Sequence, residues 1–185
     1  YPLVSAAFLA LELAGREIDF ERVSRLIRSP FLAGADAELA RRARLDAWLR
    51  EHAEPVITLD RLLTLIAHDD AGCAVLAQRL TALAEFRKAR LFGGQPPSAW
   101  AKGISEALAI IGFPGERSLD SAEFQALAKW HAVVADFAAL DRVVPRTGYS
   151  DAVSRLRRMA ADALFQPETP EVPIQILGAL EATGM

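Results

Sequence analysis

Arg22, Arg25 and Arg28 recur every third residue in the segment Phe20-Glu21-Arg22-Val23-Ser24-Arg25-Leu26-Ile27-Arg28. On a helix this spacing projects three guanidinium groups along one side, an arrangement suited to holding the phosphates of a DNA backbone. Phosphate contact needs cations that are not already paired. Of the three, only Arg25 has an acid at favourable helical spacing, Glu21 four residues before it. Arg155, Arg157 and Arg158 form a second candidate group for DNA. The competing reading is a set of solvated ion pairs, because Glu38 precedes Arg42, Asp46 precedes Arg50, Asp151 precedes Arg155 and Arg158 precedes Asp162 by four. Such pairs mostly decorate exposed helix faces and contribute about 0.2–0.5 kcal/mol each.

The other chemistry-bearing residues are dispersed. His52, His68 and His131 fall on three separate expected helices, with no HExxH pattern and no cysteine at zinc spacing, so they read as surface or half-buried residues and no metal is expected. Cys73 is the single cysteine, which excludes an intrachain disulfide, fits a reducing cytoplasm and reads as a small core residue. Gly93-Gly94 lacks the Lys-Ser/Thr and preceding strand of a phosphate loop and reads as a turn. There is no GxSxG, and the carboxylates are scattered, so neither a catalytic residue nor a cofactor is expected. Trp48, Trp100 and Trp130 have faces on which bases stack, but each sits in an apolar helical pattern and reads as core.

The elements that must position these groups are helices. The chain has 185 residues, 52% of them hydrophobic and only 8% aromatic, which suits one domain of closely packed helices. A net charge of −3 excludes a generally basic surface but not a local basic patch. No apolar run reaches the roughly 18 residues that span a bilayer, so no membrane partner is expected and a soluble, cytoplasmic location is. Apolar spacing predicts helices over 2–14, stopped by Gly15, and over 20–28, capped by Asp19 and ended by Ser29-Pro30. A third is expected over 36–52, with Leu39, Ala43 and Ala47 on one face and Leu45 and Trp48 beside it. Thr58 caps a fourth reaching about residue 68, and a fifth runs from 71 to 91 with Leu76, Leu80, Leu83 and Phe86 inward. Ser98 caps a sixth, ended at Gly112. Asp120, Ser121 and Glu123 open a seventh that carries Phe124, Leu127, Ala128, Val134 and Leu140 to the stop at Val143-Val144-Pro145. Ser150 starts the last, to about residue 165. The expected fold is all-α, an irregular domain of about eight helices with a short strand-like C-terminal tail.

That tail, 172–185, reads as a buried strand, Pro173-Ile174-Gln175-Ile176-Leu177, leading through Gly178 into a short helical stretch with no strand to pair with. The chain is therefore expected to be a piece of a larger polypeptide, and its first residue, Tyr1, agrees. Three segments carry a resemblance over essentially the whole length. They are Leu26-Ile27-Arg28-Ser29-Pro30-Phe31-Leu32; Gly112-Phe113-Pro114-Gly115-Glu116-Arg117 followed by Leu119-Asp120-Ser121-Ala122-Glu123-Phe124-Gln125; and the ending from Phe165 to Gly184. In this order they resemble a bacterial family of probable DNA repair proteins similar to the AddB and RecC subunits of helicase-nuclease complexes, and more distantly to UvrD-like superfamily 1 helicases. The resemblance implies that residues 1–171 are a helical 2B-like insert and that 172–185 open a motif-V-like segment of a motor domain, with Gly178, Glu181 and Gly184 at its signature positions. Gly178-Ala179-Leu180-Glu181 lacks the preceding Ser/Lys of active motors, a departure that speaks against ATP-driven translocation by this region. By the same resemblance, ATP-binding motifs would lie upstream and a nuclease domain downstream. The implied partners are DNA, the parent chain's other domains and a helicase-nuclease partner subunit. The alternative from a different class is a helical module that docks on those domains without touching DNA.

Overall fold

The first helix, α1 (Pro2–Gly15), is apolar on every side, and eleven of its fourteen residues are buried. A helix with no polar face has to be surrounded. The computed structural model, which describes residues 1–68 and 70–164, surrounds it with five others. They are α2 (Phe20–Ile27), α5 (Ala74–Arg90), α6 (Pro97–Ile110), α7 (Ser121–Ala138) and α8 (Tyr149–Leu164). The helices α3 (Leu39–His52) and α4 (Leu59–His68) pack outside this ring, against α2 and α5. The described residues thus form an all-α domain of eight helices, with a 3-10 turn, Ala139–Arg142, closing α7.

Two features of this frame differ from the sequence expectation near the arginines. A two-residue strand, β1 (Ile18–Asp19), pairs antiparallel with β2 (Val56–Ile57). Asp19 makes no side-chain cap, and the Phe20 N–H is taken instead by the Pro55 carbonyl at 2.8 Å. Gly15 was expected to stop α1 through its backbone freedom, yet its φ is not positive. What occupies the space of its missing side chain is Tyr149, whose ring carbon would lie 2.4 Å from a Cβ there. Gly15 is therefore a site of close approach between α1 and α8.

The third helix is turned relative to its expected orientation. Leu39, Ala43 and Ala47 face solvent, and the buried residues are Arg42, Leu45, Asp46 and Leu49. The reason lies in partners remote in sequence. Arg42 donates to the Glu38 carboxylate at 3.0 Å and to the Ala33 carbonyl. Glu38 in turn accepts the backbone N–H groups of Val75 at 2.7 Å and Leu76 at 3.1 Å. These are open donors at the start of α5, so one acid both neutralises Arg42 and caps a helix 37 residues away. Asp46 holds Arg50 at 3.0 Å and Arg28 at 3.3 Å. Two of the i, i+4 pairs thus have buried carboxylates and tie elements together; the solvated reading does not hold for them.

The later helices follow the expected order, with the Thr58 and Asp120 caps in place and the cap of α6 displaced. Thr58 Oγ1 accepts the Arg61 N–H at 3.2 Å, and Asp120 with Glu123 forms a capping box on α7. Of the apolar residues α7 carries, Phe124 is 65% exposed, while Trp130, Val133 and Phe137 face the core. Ser98 does not cap α6. Its N–H and its hydroxyl both donate to the Asp141 carboxylate, at 2.8 and 2.6 Å. The hydroxyl first, and then the backbone N–H, holds the Asp141 carboxyl below the usual carboxylate range. A carboxyl depressed by folding contributes stability that is present above its unfolded pKa and lost as pH falls through the folded one. Asp141→Asn is accordingly expected to lower the urea midpoint at pH 7, with the difference from the parent shrinking as the pH is taken below the carboxylate range.

Two of the segments that carry the family resemblance meet in space. The Ala33 N–H donates to the Ile111 carbonyl at 3.1 Å, and the backbone around Gly112 and Gly115 lies against residues 30–33. Both glycines have positive φ, +73° and +92°. Arg117 sits 5.0 Å above the Phe31 ring and bonds Glu123 of the capping box. The strand expected over 173–177 and the motif-V-like residues Gly178, Glu181 and Gly184 lie outside the described residues.

Candidate functional site

Glu12 is the one ionisable residue of α1, and it is buried. A carboxylate in an apolar helix must be compensated, because leaving it unpaired would cost several kcal/mol. Three arginines supply the compensation. Arg157 of α8 reaches Oε1 at 2.7 Å, Arg16 from the next turn reaches the same oxygen at 3.4 Å, and Arg22 of α2 bonds Oε2. Arg157 also lies 4.7 Å over the ring of Phe8, one turn before Glu12, which fixes its guanidinium from a second direction.

Around this centre the two arginine groups converge. A cleft of about 330 Å³ is lined by Arg22, Arg25 and Arg157 together with Val4, Ser5 and Phe8. A second, of about 630 Å³, lies between α1 and α8 and is lined by Glu12, Gly15, Arg16, Ser154, Arg157 and Arg158, among others. Arg157 lines both. Between them the two clefts present five arginines and a single carboxylate. The excess of positive charge is felt locally: burial, then the charges of Arg157 and Arg25, lowers the Arg22 guanidinium from its ordinary value. Burial, then Arg16, does the same to Arg157. An anion placed here would relieve that repulsion.

The six arginines taken from the sequence are thus divided. Arg22 and Arg157 are bonded to Glu12 and partly buried, so they organise the face. Arg25, expected to pair with Glu21, is exposed and makes no ion pair among the described residues. Arg158 is exposed and likewise unpaired among the described residues. Arg28, expected to be open, is turned away onto Ser24 and Asp46. Arg155 lines neither cleft. Sequence reasoning missed Glu12 and Arg16, although a lone acid in an otherwise apolar helix is a signal of a buried, compensated charge.

The remaining candidates take core or surface places. His52 stacks on Trp48 at 4.1 Å, His68 bonds the Thr64 carbonyl, and His131 is exposed on α7. Among the described residues no group of three or more histidine, cysteine or acidic side chains is placed to hold a metal. Trp100 and Trp130 are buried, Trp48 is half-buried, and the Trp100 indole donates to the Thr147 carbonyl at 2.8 Å. Cys73 is buried at the start of α5. None of the described helices is long and apolar enough to cross a membrane.

Fold and site together define an all-α domain with an arginine-lined face organised around one buried carboxylate. No family model, curated protein or solved structure matches this chain.

Proposed function

We propose that the chain is a non-catalytic helical module of a DNA repair helicase-nuclease-like protein, a counterpart of the 2B insert, that positions DNA beside a motor-like core. The observation that supports this is the meeting of Arg22 and Arg25 with Arg16, Arg157 and Arg158 on one face of a chain whose net charge is −3. Guanidinium groups keep their charge at all physiological pH values. They hold and orient phosphate rather than exchange protons with a substrate.

The test is binding of the whole 185-residue chain to a labelled duplex with a single-stranded tail across a salt titration. Arg25→Ala/Arg158→Ala is the informative variant, because neither residue is bonded to Glu12. Expected is weakening at all salt concentrations and a log K against log salt slope shallower by about 1–2. Absence of binding at low salt in the parent would overturn the positioning role.

A docking role without DNA is favoured by a different observation. Phe92 and Val143 are 64% and 75% exposed on two segments tied together by the Gln95 and Thr147 backbone pair and by Arg146 on the Gly94 carbonyl. If docking is the function, Phe92→Ser/Val143→Ser abolishes association with the parent's other domains and leaves DNA affinity unchanged.

A further inference from the structure

The larger cleft has a composition that a track for internal phosphodiesters does not require. On its α8 side Ser150, Ser154, Arg157 and Arg158 fall at helical positions i, i+4, i+7 and i+8, so two hydroxyls and two guanidinium groups share one face. On its α1 side stand Glu12 and Arg16. Both Glu12 oxygens are already occupied by arginines, so the carboxylate is masked towards the cleft. Arg16 and Arg157 remain roughly half exposed, at 57% and 43%, and keep N–H groups beyond those used on Glu12. The Tyr149 hydroxyl donates to the Leu11 carbonyl at 2.9 Å and belongs to the floor.

Three arginines against one carboxylate leave a formal surplus of two positive charges in this cleft. An internal phosphodiester carries about one negative charge, whereas a phosphate monoester carries about 1.5 to 2 at neutral pH. The volume of about 630 Å³ suits a seated group, since small-molecule sites occupy roughly 300–1,000 Å³. We infer that the α1–α8 cleft is a phosphate-monoester pocket that receives the terminal phosphate of a nucleic-acid strand. The pocket chemistry stands on the cleft itself; the identity of the strand rests on the positioning role proposed above. In this arrangement Arg25 and the smaller cleft follow the backbone, while Arg16, Ser154 and Arg158 read the end.

The experiment compares single strands ending in a 5′-phosphate, a 3′-phosphate or hydroxyls at both ends, by fluorescence anisotropy with the full chain. In parallel, inorganic phosphate is titrated by NMR. Arg158→Ala and Ser154→Asp serve as variants, both at exposed positions, with circular dichroism verifying the fold. Expected is about tenfold tighter binding of one phosphorylated end, as charge-assisted bonds to a dianion imply. That preference disappears in both variants and under competing inorganic phosphate, while the parent chain still binds hydroxyl-ended strands. Equal affinity for all three strands, with no phosphate-induced shift at Ser154, overturns the pocket and leaves the positioning role standing. Inorganic phosphate binding with no affinity for any strand supports the pocket chemistry and overturns both the strand assignment and the positioning role.

Discussion

Glu12→Ala is expected to destabilise the protein by about 2–4 kcal/mol, because it removes the counter-charge of three arginines at once. Removing one partner of a fully buried pair costs about 3–5 kcal/mol. The value here is set lower because Arg22, Arg16 and Arg157 retain 22%, 57% and 43% exposure and part of their repulsion is screened. Urea unfolding provides the measurement. Sulfate or phosphate in the buffer should restore the variant's midpoint by more than it raises the parent's, since an anion takes over the place of the carboxylate. A variant that unfolds at the parent's midpoint would show that Glu12 does not organise the face.

Gly112→Ala is expected to cost about 3 kcal/mol, the sum of two effects of comparable size. A residue with a Cβ held at a positive φ is strained by about 1–2 kcal/mol. The new carbon would also lie 2.4 Å from the Ala33 Cβ and 3.0 Å from the Ala33 nitrogen. That nitrogen belongs to backbone hydrogen-bonded to Ile111, so it has little room to yield. Overpacking of this kind costs about 1–3 kcal/mol. Gly93→Ala separates the two effects, because Gly93 has a φ of +70° with nothing within 4 Å of the added carbon. It should lose only the strain part, about 1–2 kcal/mol. Equal losses at the two positions would mean that the contact with residues 30–33 does not matter.

The helices themselves were legible because their signals are local. The largely apolar α1, the Leu76, Leu80 and Leu83 stripe of α5 and the Asp120 to Glu123 capping box can each be read within a few turns of chain. What escaped depends on distant partners. The orientation of α3 is decided by Ala33 and the start of α5, and the cap of α6 comes from Asp141, 43 residues on. The candidate face shows the same division. Its arginines stood out by spacing, but which of them are bound and which are open follows from Glu12, ten residues from Arg22 in sequence. Arg25 and Arg28 have exchanged their expected states because tertiary geometry put Asp46, and not an acid of the same helix, next to Arg28.

The bond from Tyr149 to the Leu11 carbonyl spans 138 residues of chain. During synthesis the oily helix α1 leaves the ribosome well before α8, the helix that completes its casing. At about 5–20 residues per second the delay is about 7–28 seconds. Over that interval the nascent chain presents an almost uninterrupted greasy surface with a single acid in it, a natural target for holding chaperones and a liability when translation stalls. The basic face cannot assemble before that closure, so affinity for polyanions should appear only once α8 has been made, and not in translation products that stop short of it.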